Sequence, residues 1–189
     1  GGTIGSEEAA RATPDGYTII LHSSSSAAIN VWLYKGLSYD VRTAFVPISL
    51  VTTLPNVLVV NPSVPARSVQ DLIALLKAHP GEYDYGSSGN GTVLHLSGAL
   101  FARMTGVEVE HVPYGGGGPA MNDLIAGNID FMFDNLPAAM AHIRGGSVVA
   151  LAVTTKTRSA QLPDLPTMEE AGVIGYDTSS WTALYAPAG

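Results

Sequence analysis

Residues 83–92 read YDYGSSGNGT: a short apolar strand, Tyr83 to Tyr85, runs into a turn of small polar residues, and a helical stretch follows from Val93 to Thr105. The same order of strand, turn and helix recurs twice further along the chain. Strands that alternate with helices predict a parallel sheet with right-handed crossovers. Ligands on such sheets bind beyond the carboxyl ends of the strands, where all three turns would lie. The repeat therefore predicts an α/β fold with a ligand site at that edge.

The other two units differ in the composition of their turns. The second repeat has a strand from Val107 to Val112, a turn from Pro113 to Gly118 and a helix opened by Pro119. The third has a strand from Ile129 to Phe133, a turn from Asp134 to Leu136 and a helix from Pro137 to Arg144. A final strand follows from Val148 to Thr154. The first N–H groups of each helix have no intrahelical partner and face the preceding turn. Together with the helix dipole, they make the three turns natural anion sites.

The rest of the chain predicts further elements around a domain boundary. Strands are predicted at Thr18 to Leu21, Val46 to Thr52, Asn56 to Val60 and Thr182 to Tyr185, and helices at Ala27 to Tyr34 and from the capping pair Ser68 and Asp71 to His79, with a second capping pair at Thr167 and Glu170. The proline-rich segment after Val60 marks a crossing between domains. We expect residues 1–60 and 177–189 to form part of a first domain and residues 61–176 to form a second.

Composition narrows the classes of function. The chain has 189 residues, is 46% hydrophobic and carries a net charge of −7 with nine Lys and Arg, which are scattered singly. A nucleic-acid partner is therefore not expected. No apolar run approaches the roughly 20 residues of a transmembrane helix. The lack of cysteine removes disulfide and thiolate-metal sites and fits an exported protein.

Each polar turn, and the histidine near the first of them, has a ligand-binding and a structural interpretation. The turn Gly86 to Thr92 either holds a carboxylate with its hydroxyls and amides or is a flexible connection capped by Thr92. The four glycines after Tyr114 favour close approach of a ligand over a linker. Asp134 either binds an amino group or water or, more simply, caps the next helix. His95 is either a ligand contact or a structural histidine. We find no nucleotide-binding loop, nucleophile elbow or metal-ligand spacing.

Six ordered motifs resemble those of one family, the Bug-type receptors, which are the extracytoplasmic substrate-binding proteins of tripartite tricarboxylate transporters. They are ATPDGYT (12–18), PNVLVVNP (55–62), YGSSGNGT (85–92), HVPYGGGGPA (111–120), FDN (133–135) and LPDLPT (162–167). The resemblance covers essentially the whole chain.

The resemblance implies a periplasmic-binding-protein type II-like fold, with two α/β domains and a hinge. It implies a periplasmic protein that captures a small carboxylate between its domains for the membrane subunits of the transporter, with no catalysis and no cofactor. In that family, backbone amides, hydroxyls and bridging waters hold the ligand. Carried over by position, the site would comprise Ser24, Ser25, Ser87, Ser88, Asn90, Gly91, Thr92, Tyr114, Gly115, Gly116 and Asp134.

The resemblance also predicts an incomplete first domain. Family members begin with a strand and a glycine-rich loop that precede Gly1, and they continue past Gly189 with further helices. We therefore expect the 189-residue chain to self-associate through exposed edges of residues 1–60. Two alternative functions remain open at this point, an α/β enzyme that binds the phosphate of a cofactor in the same turns and a sensory module that reuses the receptor fold.

Overall fold

The computed structural model describes residues 1–189, which divide into two compact units. The first unit comprises Gly1–Thr53, Gly91–Val93 and Ser180–Gly189, and the second comprises Leu54–Asn90 and Leu94–Ser179. That residues 61–176 form a second domain that folds independently stays a prediction. The compact unit in the structure also takes in Leu54 to Val60, because these residues form a strand inside its sheet.

Helices and strands alternate along most of the chain. The helices are α1 (Thr3–Arg11), α2 (Asn30–Leu33), α3 (Val41–Ala44), α4 (Val69–Ala78), α5 (Val93–Thr105), α6 (Gly117–Ala126) and α7 (Leu136–Arg144), with a π-helical segment at Ser25–Ile29 before α2. The strands are β1 (Ile20–Ser23), β2 (Phe45–Val60), β3 (Asp84–Ser87), β4 (Glu110–Pro113), β5 (Phe131–Asn135), β6 (Val149–Val153) and β7 (Ser179–Pro187). None of the helices has the length and apolar content needed to cross a membrane.

The second unit is built on a five-stranded sheet in the order β6, β2, β5, β3, β4. Strand β3 pairs in parallel with both β4 and β5, as the repeat predicts. Strand β2 lies outside the repeat and pairs antiparallel with β5 and with β6, so the sheet is mixed although the strands of the repeat, β3, β4, β5 and β6, all run in one direction. The reason is that the crossover through α7 leaves room for one strand between β5 and β6, and β2 fills that position in the opposite direction.

Helices cover both faces of this sheet. Alternate residues of β2 point to opposite sides, so that Leu58 and Val60 join one buried cluster and Val57 and Val59 join the other. The first cluster includes Leu72 of α4 and Phe101 of α5, whereas the second includes residues from α6 and α7, among them Leu124, Leu136 and Met140. The continuous apolar run from Val57 to Val60 is typical of a strand that is buried on both faces.

The first unit contains a smaller sheet in the order β1, β7, β2. Strands β1 and β7 are antiparallel, with His22 opposite Ala183 and Ser23 opposite Thr182. One face packs on a cluster that includes Ala9 of α1, Val41 of α3 and Phe45. His22 is fully buried in this layer, with its ring centroid 4.8 Å from that of Phe45.

Several helices and strands have limits that differ from those predicted from the sequence. The two strands predicted at Val46 to Thr52 and Asn56 to Val60 are one 16-residue strand, β2, because Pro55 lies within an extended segment and does not break it. Helix α1 was not predicted, since Thr3–Arg11 contains a single large apolar residue, Ile4, and so has no apolar stripe of large side chains. The helix predicted from Ala27 begins earlier, as the π-helical segment from Ser25.

The two predicted capping pairs form, but only one begins a helix. Ser68 Oγ accepts a hydrogen bond from the Asp71 N–H at 3.1 Å at the start of α4. Thr167 and Glu170 form a reciprocal pair, at 2.9 and 3.0 Å, but the residues after them form turns and no α-helix. Gly172 follows too soon for a helix to propagate, because a single turn fixes several residues for few hydrogen bonds.

Candidate functional site

The three polar turns follow the parallel strands β3, β4 and β5, and each of them contributes residues to the lining of a cavity of about 340 Å³ in the second unit. The N-terminal turns of α5, α6 and α7 also surround it. Its lining comprises Ser88, Leu94, Gly117, Gly118, Met121, Asp134, Asn135, Ala138 and His142. The lining contains no lysine or arginine, so an anion here would depend on backbone N–H groups, hydroxyls and helix dipoles. The convergence that the sequence predicts is thus present within one unit.

Asp134 is the most unusual group in this cavity. It ends β5 and is only 4% exposed, and its Oδ1 accepts one hydrogen bond, from the Asn135 N–H at 2.8 Å. Burial raises its pKa to about 6, and the backbone hydrogen bond and His142 offset part of that rise. Asn135 is the N-cap residue of α7, and no side chain caps that terminus. The simpler reading of Asp134 as a helix cap is therefore wrong.

Ser88 and Gly117 complete the polar rim of the cavity. Ser88 lies in the turn after β3 and is partly exposed. Helix α6 begins at Gly117, two residues before the predicted start at Pro119, with Gly116 as its N-cap residue. A Cβ at Gly117 would lie 3.4 Å from Asp134 Oδ1, so glycine leaves open the space beside the carboxyl group. Gly115 precedes this point and is exposed.

Ser87 is directed away from solvent. It is fully buried, and its Oγ lies 2.7 Å from His111 Nε2 and 3.2 Å from the Gly89 nitrogen, which donates to it. His111 in turn stacks on His95 with ring centroids 3.9 Å apart. Burial, followed by the neighbouring His95, lowers the pKa of His111 to about 4. These contacts are those of a structural group that fixes the turn, and they agree with the structural reading of His95.

Tyr114 does not line the cavity. Its hydroxyl donates to Asp123 Oδ2 in α6 at 2.8 Å. Burial, together with this hydrogen bond, raises the pKa of Tyr114 to about 12. The structure therefore uses the hydroxyl to join β4 to α6, and it does not bring this side chain together with Ser88 and Asp134.

Ser24, Ser25, Gly91 and Thr92 lie in the first unit. Ser25 Oγ accepts a hydrogen bond from the Val93 N–H at 3.2 Å. The Ser24 hydroxyl is buried and has no hydrogen-bond partner. Asn90 is exposed at the end of the turn in the second unit. The predicted site residues thus fall into separate groups, and only Ser88 and Asp134 line the cavity described above.

Sequence reasoning missed three parts of this cavity. Gly117 and Gly118 belonged to the noted glycine run but were not assigned to the site. Asn135 was noted only as part of the third turn and of the FDN motif, and His142 was not singled out. Asn135 follows Asp134 directly, and His142 lies on the same helix face as Ala138, four residues earlier. That spacing is a signal that the sequence contains. Across residues 1–189, no three His, Asp or Glu side chains are grouped in a way that could hold a metal ion.

Comparison with known families identifies the class of protein. The family model described as the tripartite tricarboxylate transporter family receptor, TctC, matches residues 1–189. The chain therefore belongs to this family of solute-binding receptors. It is 40% identical over 190 residues to Protein BugT of Bordetella pertussis, of which it covers 58%. The chain thus spans a little over half the length of this curated relative.

Solved structures agree with this assignment. The chain is similar to R. palustris Rpa4515, solved with adipate, at 42% identity and a TM-score of 0.96, and covers 63% of that protein. It is also similar to the periplasmic binding protein BugD, at 36% identity and a TM-score of 0.92, again over 63% of that chain. MatC from Rhodopseudomonas palustris, solved with bound malate, is 31% identical, with a TM-score of 0.91 and 64% covered. All of these matches cover 100% of the present chain.

Proposed function

We propose that this protein is a periplasmic receptor that captures a small organic carboxylate for a tripartite tricarboxylate-type transporter in the membrane. One observation carries the proposal: a polar cavity without lysine or arginine lies among the N-terminal turns of three helices. Such turns bind anions through unpaired N–H groups and the helix dipole.

The comparisons support the choice of ligand and compartment. Receptors of this family are periplasmic, and relatives were solved with adipate and with malate, both dicarboxylates. A backbone-lined site suits this ligand class, because amides and hydroxyls can hold a carboxylate without a fixed cation. The proposed partners are the membrane subunits of the transporter.

Calorimetric titration of the purified protein at its full natural length would test the proposal. The panel would contain adipate, malate, succinate and their amino-substituted analogues, with glucose as a neutral control. We expect at least one acid to bind with a Kd of roughly 1 μM or below, which corresponds to about −8 kcal/mol, and glucose to give no heat. Binding of glucose with no response to any acid would overturn the proposal.

A further inference from the structure

The cavity of the second unit contains a buried carboxyl group with no lysine or arginine beside it in the lining. Asp134 is 4% exposed, and its single hydrogen bond, to Oδ1, comes from the N–H of the next residue. Its other oxygen, Oδ2, accepts no hydrogen bond. His142, across the cavity on α7, is the one lining residue other than Asp134 that can titrate. A charge buried in this way is costly unless a counter-charge or a proton reaches it.

A second acceptor beside it also lacks a donor. The side-chain oxygen Oδ1 of Asn135 is buried and has no hydrogen-bond partner. Buried polar atoms in folded proteins are paired in the great majority of cases, so an exception calls for an explanation. Asp134 and Asn135 are adjacent, and both line the same cavity. This wall of the cavity is therefore short of donors, and a ligand with N–H groups would relieve that shortage at Asp134.

We propose that the carboxylate captured by this receptor also carries an ammonium group, which binds Asp134, so that the ligand is an amino acid and not a simple organic acid. This inference rests on the proposed function. The ammonium would supply at Asp134 the counter-charge that no lysine or arginine of the cavity provides. The carboxylate of the same ligand would face the N-terminal turns of α5 and α6. One cavity thus offers an acidic end and a donor end, as a zwitterion requires.

Matched ligand pairs test this directly. Calorimetry on the protein at its full natural length would compare L-2-aminoadipate with adipate, and L-aspartate with succinate, at pH 7.5. In each pair the two acids differ by one ammonium group. We expect the amino acid to bind at least about tenfold more tightly in at least one pair, because a hydrogen-bonded charge pair in a buried site exceeds 1.4 kcal/mol. Equal or weaker binding of both amino acids, with the simple acids still bound, would overturn this inference and leave the proposed function intact.

Asp134→Asn identifies the responsible group. The variant should lose the preference for the amino acid, which is measured as the ratio of the two affinities within each ligand pair. Asp130→Asn is the matched control, because Asp130 is a partly buried carboxyl group of the same unit that binds the Asp84 N–H and does not line the cavity. It should keep the preference. Equal loss of both ligands in a folded Asp134→Asn protein would contradict the assignment.

The pH dependence gives a readout that does not depend on folding of a variant. The amino acid needs Asp134 ionised, and the pKa of Asp134 is raised by burial to about 6. The affinity of the receptor for the amino acid should therefore fall about fourfold between pH 7.5 and pH 5.5 as Asp134 takes up a proton. His142 also faces the cavity and would repel an ammonium when protonated. Because Asp134→Asn retains His142, the pH dependence of its affinity for the amino acid measures the contribution of His142 separately. An affinity for the amino acid that is constant or rises over this range would refute the inference.

Discussion

At the scale of single residues, His111 links the stability of the second unit to pH. Its pKa is lowered to about 4 by burial, with His95 as the second cause. A histidine with a lowered pKa contributes stability that is complete above its unfolded value of about 6.5 and is lost as pH falls towards the folded value. Because the ring is partly exposed, water screens the effect, and we expect the free energy of unfolding to fall by about 1–2 kcal/mol between pH 6.5 and pH 4.

Denaturant unfolding at several pH values would measure this loss. His111→Gln retains a side-chain group that can hydrogen-bond Ser87 but cannot become charged, so its stability should vary less with pH over the same range. The remaining variation would report His95 and His22, whose pKa values are also lowered by burial. An identical pH profile for the variant and the parent would show that His111 is not the responsible group.

Ser87 and Ser88 are adjacent and should have opposite roles. Ser87 is buried against His111 and Gly89, so Ser87→Ala should cost about 1–3 kcal/mol of stability by leaving polar groups unpaired. Ser88 lines the cavity, so Ser88→Ala should weaken ligand binding severalfold and change stability by less than about 0.5 kcal/mol. Thermal unfolding and calorimetric titration of both variants would check this. The reverse pattern would mean that the site lies on the other side of the turn.

The sequence located the turn that contains these residues, but it could not assign their roles. The strand and turn pattern places Ser87, Ser88 and Asp134 at the carboxyl edge of the sheet. Which hydroxyl faces His111 and which faces the cavity depends on the exact end of β3, which extends to Ser87 and not to Tyr85 as predicted. The burial of Asp134 likewise depends on the packing of α6 and α7, which no local pattern encodes.

At the scale of elements, close packing of α5 on β3 depends on Gly98. A Cβ added there would lie 2.1 Å from the ring of Tyr85, which is itself buried. Gly98→Ala should therefore lower the free energy of unfolding by about 1–3 kcal/mol, although alanine favours helix formation. Gly5→Ala is the matched control, because Gly5 lies in helix α1 with open space around it. We expect the control to be neutral or stabilising by up to about 1 kcal/mol.

Denaturant midpoints for the two variants would decide this point. Equal effects would mean that the ring of Tyr85 moves aside at little cost. Tyr85 packs beside both His111 and Phe131, with ring centroids 4.9 and 5.7 Å away, so little room for such a movement exists.

Helices of the second unit were predictable because their caps and apolar stripes are local signals. Helix α5 has the predicted limits, and α4 begins at the predicted cap. The direction of β2 was not predictable, since antiparallel pairing with β5 and β6 is a long-range property. A continuous apolar run shows that a strand is buried, but it does not show between which neighbours the strand lies.

At the scale of the whole molecule, one face of the sheet in the first unit is apolar and uncovered. Thr52 and Thr182 meet across β2 and β7, with their hydroxyl oxygens 2.8 Å apart, which fixes the side chains that share their face. By alternation these are Val46, Ile48 and Leu50 on β2, and Leu21 across from Leu184. Val46, Ile48, Leu50 and Leu21 are each at least 51% exposed.

We therefore expect the chain of 189 residues to self-associate. Contiguous exposed apolar surface of this kind favours association. The paired substitutions Ile48→Lys and Leu50→Lys should shift light scattering towards the monomer. Ile174→Lys, which replaces a single exposed apolar residue in the second unit, is the control and should not change the oligomeric state. A parent chain that is monomeric at all concentrations would contradict this expectation.

The most direct test of the central claim is to map where an organic acid binds. Backbone amide chemical shifts of the isotope-labelled protein at its full natural length would be followed by NMR as the tightest-binding acid of the calorimetric panel is added. We predict saturable shifts at Ser88, Gly117 and Asn135 in the cavity, and none along the apolar groove of the second unit lined by Ile143 and Leu162. Saturable shifts in that groove, with no change at the cavity, would contradict the account.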